Sequence, residues 1–449
     1  MTVKFPELHD ATFDATSAAP RLVPALGAPR LTATAQVTGH PAEWSEHARV
    51  HGEPLTALRS GQIINQLERT GVLGRGGAGF PLLIKMKAAA GASGRPVIVV
   101  NASEGEPAIW KDRTLLSRVP HLVLDGAQLA AAALGADRVH VAVNPTYRPA
   151  HLALTVALAQ RRERFVDVVP VSVHVVPDEF TAGECSSVVG LINGGRGRPE
   201  FTKTIAAIRG VDGRPTLLSN TETFAQLAIL SRMGDRYADV GAPGEPGTAL
   251  FTVRGAVRED VVVEAPLGTT VGDLVAGVGG LVEPIQAVLV GGYHGRWMPV
   301  HTAWNAPLSV AEMRARGGAV GAGLVVPLAA NACPLVEVSR VVEYLAAETA
   351  GQCGPCVNGL PAIADAVTSL ARGLADNTTL DRIARWSGLV TGRGLCKHPD
   401  GTVGFVRSAL DVFGDHVERH LHGPCGLPWR NLLPVGALDT APRSRWASR

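Results

Sequence analysis

Between residues 58 and 176 the apolar pattern switches repeatedly between helical spacing and β-branched runs. Ile63, Ile64 and Leu67 sit at helical spacing and stop at Gly71, which predicts a helix over 58–72. A glycine-rich loop follows, then a short helix at 82–90 and the strand-like run Pro96-Val-Ile-Val-Val-Asn101. A helix over Leu122–Leu134 leads to the strand Arg138–Val143, a helix at 149–161 and a β-branched stretch, Val166–Val176. Helices alternating with strands argue for an α/β sandwich. From residue 249 the pattern changes to short strands (Leu250–Arg254, Val261–Glu264, Ala287–Val290) around one helical segment at 271–278, a small α+β module. Beyond Val336 helical spacing dominates, at 336–349, 356–372, 378–388 and 401–420, which reads as a compact helical bundle. The uncharged stretch Gly317–Val336 holds four glycines, Pro327 and Pro334, so it reads as a buried strand with turns and not a membrane span. Residues 1–55, rich in Ala, Pro and Thr with weak periodicity, read as an extended arm. The expected divisions are 1–55, 56–248, 249–335 and 336–449.

Composition narrows the picture. The chain has 449 residues, and glycine makes up 51 of them, about 11% against an average of about 7%. Aromatics are only 5%, so the cores are built from small aliphatics and many backbone positions call for Gly. The net charge of +2 carries no nucleic-acid footprint. Six cysteines are too few for a disulfide scaffold, and the tight pair Cys353 and Cys356 points to metal or redox chemistry in a reducing compartment. Met1–Asp10 has no apolar core of a signal peptide. A soluble, cytoplasmic protein is the expectation, with no direct membrane insertion.

Several motifs could carry chemistry. In Gly74-Arg-Gly-Gly-Ala-Gly-Phe80, the residues Gly74, Gly76 and Gly79 match G-x-G-x-x-G, but a predicted helix precedes the loop where the dinucleotide fingerprint needs a strand. Successive glycines still let backbone N–H groups approach an anion, with Lys85 and Lys87 adding positive charge, so a phosphate or flavin cradle competes with a purely structural turn. Asn101-Ala-Ser-Glu-Gly-Glu-Pro107 and Trp110-Lys-Asp-Arg113 follow a strand, at the edge where α/β sheets bind ligands. Gly183-Glu-Cys185, Gly194–Pro199 and Ser219–Thr223 supply short polar groups, none diagnostic alone. Gly351-Gln-Cys353-Gly-Pro-Cys356, with Cys396 in a later loop, can hold Zn or an iron–sulfur cluster or act as a dithiol; its bundle context disfavours the dithiol. A [4Fe–4S] cluster takes four thiolates, and Cys425 in His422-Gly-Pro-Cys425 is the nearest fourth, with His398 as another. Cys185 and Cys333 read as small buried residues.

In this order the segments resemble the NADH-binding, FMN-carrying flavoprotein subunit of bacterial complex I and its relatives in formate dehydrogenases and NAD-linked hydrogenases. The similarity runs from Gly61 to His420 and has four landmarks: GRGGAGFP at 74–81, NASEGEP at 101–107, GEC at 183–185 and GQCGPC at 351–356. It implies a Rossmann-like α/β sandwich for FMN, a small β-grasp domain of the soluble-ligand-binding (SLBB) kind, and a cluster-binding helical bundle. It places FMN against Gly74, Arg75, Gly76, Gly77, Ala78, Gly79, Phe80 and Lys85, with Asn101, Ser103 and Glu104 on the ring or ribityl chain. Gly183, Glu184, Asn220 and Thr223 would complete the pocket. NADH would stack on the flavin near Phe80, Lys85 and Glu106, with Glu106 in the catalytic position. Electrons would leave through a [4Fe–4S] cluster on Cys353, Cys356, Cys396 and Cys425, or through a [3Fe–4S] form.

The departures from the family are unevenly placed. The acidic residue of its NADESEP run is Ser103, the second Glu of its GEE is Cys185, and its K-P-P-F-P segment is Thr202–Ala206, putting Ile205 where a Phe would stack on the nucleotide. The first cysteine of its S-C-G-Q-C-T-P-C run is Ala350. The flavin side is better kept than the nicotinamide side. Three functions therefore compete: an oxidoreductase passing electrons from NAD(P)H through FMN and a cluster to a ferredoxin-like partner; a flavin and iron–sulfur electron-transfer subunit without nicotinamide use; and a redox-inactive scaffold of the same fold.

Overall fold

The computed structural model describes residues 21–54 and 60–435. After a short strand β1 (Arg21–Leu22) come helices α1 (Ala33–Thr38), α2 (Trp44–His51), α3 (Ser60–Thr70) and α4 (Leu82–Gly91). The sandwich continues with β2 (Val97–Ala102), α5 (Lys111–Arg118), α6 (Pro120–Leu134), β3 (Val139–Val143), α7 (Arg148–Glu163), β4 (Val171–Val175), α8 (Cys185–Ile192), β5 (Thr216–Asn220) and α9 (Thr221–Met233). The four strands form a parallel sheet in the order β4-β3-β2-β5. The central strand β2 is apolar along its length because helices cover both faces of the sheet. The strand expected over Val166–Val176 is shorter, since the Gln128 side chain accepts the Val168 and Val169 amides at 3.0 and 3.1 Å and draws them out of the ladder.

Helix α6 starts on Pro120, ends on the left-handed Gly135 and is buried on nearly every side. It lies so close to α9 that a Cβ on Gly126 would fall 1.8 Å from the Phe224 carbonyl oxygen. Beside that contact sits a buried charge cluster. Asp125 accepts from Arg161 Nη1 at 2.7 Å, His47 Nε2 at 2.7 Å and Arg232 Nη2 at 2.5 Å. Burial opposes its ionisation, but the His47 hydrogen bond and the arginine charges prevail and hold its carboxyl below the usual range.

Next come the two-residue strands β6 (Gly241–Ala242) and β7 (Glu245–Pro246), then β8 (Thr248–Val253), β9 (Val261–Pro266), α10 (Val271–Gly277), β10 (Ile285–Val290), β11 (Arg296–Pro299), α11 (Val300–Ala303), α12 (Val310–Ala315) and β12 (Leu324–Ala329). A mixed sheet runs β1-β9-β8-β12-β10-β11. The expected extended arm is thus corrected over its described part. It holds two helices and supplies the edge strand of this sheet, where the buried Glu264 carboxylate accepts the Arg30, Leu31 and Thr32 amides at 2.9–3.0 Å. Its weak periodicity reflects local features held by tertiary partners.

The bundle comprises α13 (Pro334–Ala347), α14 (Leu360–Ala371), α15 (Thr379–Val390), α16 (His398–Val412) and α17 (Gly414–Leu421). The single helix expected over 401–420 is two, broken at Phe413 and Gly414, where the Phe413 ring packs edge-on to Trp297 at 5.1 Å. A one-turn π-helix over Pro355–Gly359 precedes α14. No helix among the described residues is long and apolar enough to cross a membrane.

Candidate functional site

The sheet order reverses between β2 and β5, and a parallel sheet opens its ligand crevice at the carboxyl ends of the strands where that happens. Asn101, next to last in β2, pairs in register with Asn220, the last residue of β5. The glycine loop reaches the same point: the Arg75 amide donates to Thr223 Oγ1 at 2.9 Å, and a Cβ on Gly76 would touch Asn220 Cβ at 3.4 Å. Gly77 and Gly79 have φ of 104° and 63°, backbone that L side chains rarely adopt. The loop is preceded by α3 and not by a strand, as its sequence context predicts. On its other flank a small cleft is lined by Gly74, Arg75, Lys111, Glu222, Phe251 and Gly321, among others.

Many of the expected cofactor residues hold one another. Ser103 Oγ donates to Asn101 Oδ1 at 2.6 Å, and Asn101 Nδ2 donates to the Gly183 carbonyl at 2.8 Å. Asn220 caps α9, donates to Asp112 at 2.5 Å and accepts from Lys111 Nζ at 2.8 Å. Glu184 caps α8, accepting the Ser186 and Ser187 amides at 2.7 and 3.3 Å. Arg75 turns its side chain into the core toward Glu222, so only its backbone faces the loop.

Glu104 is engaged with the start of α5. Its positive φ of 27° turns the carboxylate back onto the start of α5, where it accepts the Asp112 and Arg113 amides at 2.7 and 3.0 Å. Burial, reinforced by Asp112, pushes it up to about 8. Glu106 accepts the Tyr293 amide at 2.8 Å, and burial pushes it up to about 8 as well. The expected catalytic carboxyl thus sits where the sandwich meets the second sheet, poised to exchange a proton near neutrality.

Lys85 reaches the Leu218 carbonyl at 3.2 Å and lies 5.9 Å from the centre of the Phe80 ring. Phe80 is 44% exposed, an apolar face turned outward beside the crevice. Ile205 is 59% exposed and Phe201, four residues earlier, 73%. Burial pushes the Cys185 thiol up to about 11, with Glu184 adding, so it is neutral at pH 7 where the family pattern has a carboxylate.

Cys353 and Cys356 lie 3.6 Å apart, sulfur to sulfur, around the π-helical turn, and Cys396 is close enough for its charge to disfavour ionisation of Cys356. Thiols converging from two loops, with none of the six cysteines in a disulfide, fit three corners of an iron–sulfur cluster. Neither expected fourth ligand joins them. His398 engages both ring nitrogens, one with the Leu345 carbonyl at 2.8 Å and one with His294 at 3.2 Å. Cys425 meets Cys333 and His420 instead. Cys333 is the N-cap of α13 and Cys353 lies beyond its far end, about 21 Å along a 14-residue helix. His420 and Cys333 were invisible as partners in sequence, since 87 residues separate them.

The cysteine loops abut the crevice. The Phe180 ring, just before Gly183, packs 5.3 Å from His398 and 4.8 Å from His294. Burial raises the Cys396 thiol, and the Glu184 carboxylate adds to the rise. Phe180 and His294 are site residues that no motif singled out, whereas Lys111 belongs to the Trp110–Arg113 run.

Comparison with known proteins agrees with this geometry. Residues 67–229 match the Nuo51 FMN-binding domain and residues 337–420 the NADH-ubiquinone oxidoreductase-F iron-sulfur binding region. The chain is 28% identical over 406 residues to the NADH-quinone oxidoreductase F subunit of Streptomyces coelicolor, covering 88% of each. It is 28% identical over 388 residues to the Escherichia coli protein of that name, covering 82% of this chain and 86% of that one. A crystal structure of NAD+-reducing [NiFe]-hydrogenase in the H2-reduced state superposes with a TM-score of 0.78 at 27% identity, over 93% of this chain and 70% of that one. Landmarks, crevice and cysteine loops together make the chain a divergent relative of the NADH-binding complex I flavoproteins.

Proposed function

We propose that this chain is an FMN- and iron–sulfur-containing oxidoreductase subunit that takes electrons from NAD(P)H and delivers them to a ferredoxin-like protein partner in the cytoplasm. The crevice of residues 56–248 would hold FMN, residues 249–335 would form the β-grasp module, and residues 336–449 would carry the cluster. The carrying observation is that the turn Phe180–Gly183, which leads into the GEC motif, packs on the start of α16 just after Cys396, with the Phe180 and His398 rings 5.3 Å apart.

FMN would supply two-electron acceptance and a [4Fe–4S]-type cluster one-electron transfer. The chain's own residues set the geometry. The Gly74–Phe80 backbone and the start of α9 would cradle a phosphate, with Lys85 supplying charge. The Asn101–Ser103–Gly183 hydrogen bonds lock the crevice floor to the GEC turn. Cys353, Cys356 and Cys396 would hold the cluster and leave one iron for a ligand from outside this set.

A second reading keeps flavin and cluster without nicotinamide, and the exposed Ile205 at the expected stacking position favours it. The glycine loop argues against a scaffold, which has no use for close backbone approach to a phosphate. The visible spectrum of anaerobically purified protein separates the readings. Bleaching on NADH or NADPH supports the proposal. Bleaching by dithionite alone supports the second reading, and a protein colourless after anaerobic reconstitution refutes both. Cys353→Ala should remove iron and retain FMN.

A further inference from the structure

The two cysteines of a second group flank the iron–sulfur match, which begins after Cys333 and ends at His420, before Cys425. Cys333, His420 and Cys425 present Sγ, a ring nitrogen and Sγ within 4.8 Å of one another, the first two residues buried and the third half-buried. They come from three segments: the N-cap of α13, the last turn of α17, and the loop after it.

The histidine is already set up as a ligand. His420 Nδ1 donates to the Leu370 carbonyl of α14 at 3.1 Å, which fixes the ring and leaves Nε2 with its lone pair toward the sulfurs. Cys333 Sγ stands 3.5 Å from that Nε2. A tetrahedral zinc with Zn–S of about 2.3 Å and Zn–N of about 2.0–2.1 Å separates sulfur from nitrogen by about 3.5 Å. The Cys425 amide also points at Nε2, at 3.3 Å, and would have to yield that lone pair. Gly423 and Gly426, at φ of 139° and 76°, flank it in a loop free of regular structure.

We propose that Cys333, His420 and Cys425 form a structural zinc site, separate from the iron–sulfur cysteines. Each thiol gives up one proton on binding, and the two thiolates balance the Zn²⁺ charge in an interior that tolerates no net charge. The half-buried Cys425 side leaves an entry path and a fourth position for water. The site staples the segment after α17 to the start of α13. The same segment is also held by the Cys333 amide to the Pro428 carbonyl at 3.0 Å, by the Arg430 amide to Glu337 at 3.1 Å and its side chain on Glu283 and Asn331, and by Leu433 and Val435 buried in the core.

The test uses full-length protein expressed with added zinc sulfate, purified anaerobically and passed through gel filtration before elemental analysis and zinc X-ray absorption. The expected result is one zinc per chain with two sulfur neighbours at about 2.3 Å and one nitrogen at about 2.0–2.1 Å. Cys425→Ser and His420→Gln should lose that zinc with iron and FMN content unchanged, while Cys353→Ser loses iron and keeps zinc. The proposal is overturned by wild-type protein without zinc, by zinc lost through Cys353→Ser and not Cys425→Ser, or by a Cys333–Cys425 disulfide in a non-reduced digest. If the variants do not fold, the wild-type absorption spectrum alone decides.

Discussion

Gly183→Ala probes the junction between crevice floor and GEC turn. The added methyl would sit 2.4 Å from Ser103 Oγ but 3.5 Å from Ser103 Cβ, so the clash is with the hydroxyl alone. Accommodating it breaks the 2.6 Å bond from Ser103 to Asn101 or pushes the turn outward. Overpacking of this kind costs about 1–3 kcal/mol. Without flavin the turn can relax, whereas a bound ring would hold it in place. The strain should therefore weaken FMN retention roughly 5- to 150-fold at about 1.4 kcal/mol per decade. Ser103→Ala alone loses one hydrogen bond, about 0.5–1.5 kcal/mol. The double variant removes the clashing atom and should bind FMN within a few-fold of Ser103→Ala, a coupling the double-mutant cycle reads directly. The assay is FMN fluorescence on dilution of loaded protein. Unchanged retention in Gly183→Ala, or no rescue by Ser103→Ala, would refute the steric argument.

Ile205→Phe restores the stacking ring and should lower the NADH concentration for half-maximal flavin bleaching by roughly 2- to 12-fold, from about 0.5–1.5 kcal/mol per aromatic pair; an unchanged titration would mean that the segment does not touch nucleotide. Ala350→Cys supplies the missing family thiolate at a buried position. It should raise cluster stability to oxygen and change the electron paramagnetic resonance signal of the reduced cluster; an identical signal would place the fourth ligand elsewhere. Glu106 is raised to about 8 by burial, so the folded state binds its proton more tightly than the unfolded chain, and its contribution to stability falls as pH rises from about 4.5 to about 8. Glu106→Gln keeps an acceptor for Tyr293 and removes that loss. The difference in melting temperature between variant and wild type should grow over this range, and a pH-independent difference would contradict it.

The sequence by itself determined the class of the protein. Helical and β-branched periods located the sandwich, the mixed module and the bundle, because each element buries one face whatever it packs against. The four landmarks were legible because a close backbone approach demands glycine and a cluster demands thiolates, requirements written in residue type and spacing. Tertiary structure decided what depends on distant partners. Glu104 holds the start of α5 because Asp112 and Arg113 offer it amides. The arm became an edge strand because Arg21 and Leu22 pair with Val261 and Val262, 240 residues away, and Glu264 of the same strand gathers the amides of Arg30, Leu31 and Thr32. Cys425 left the cluster for Cys333 because α13 separates two cysteines that are only 20 residues apart in sequence. Spacing along a chain records which groups can meet only within one element; which meet across elements is settled by how those elements pack.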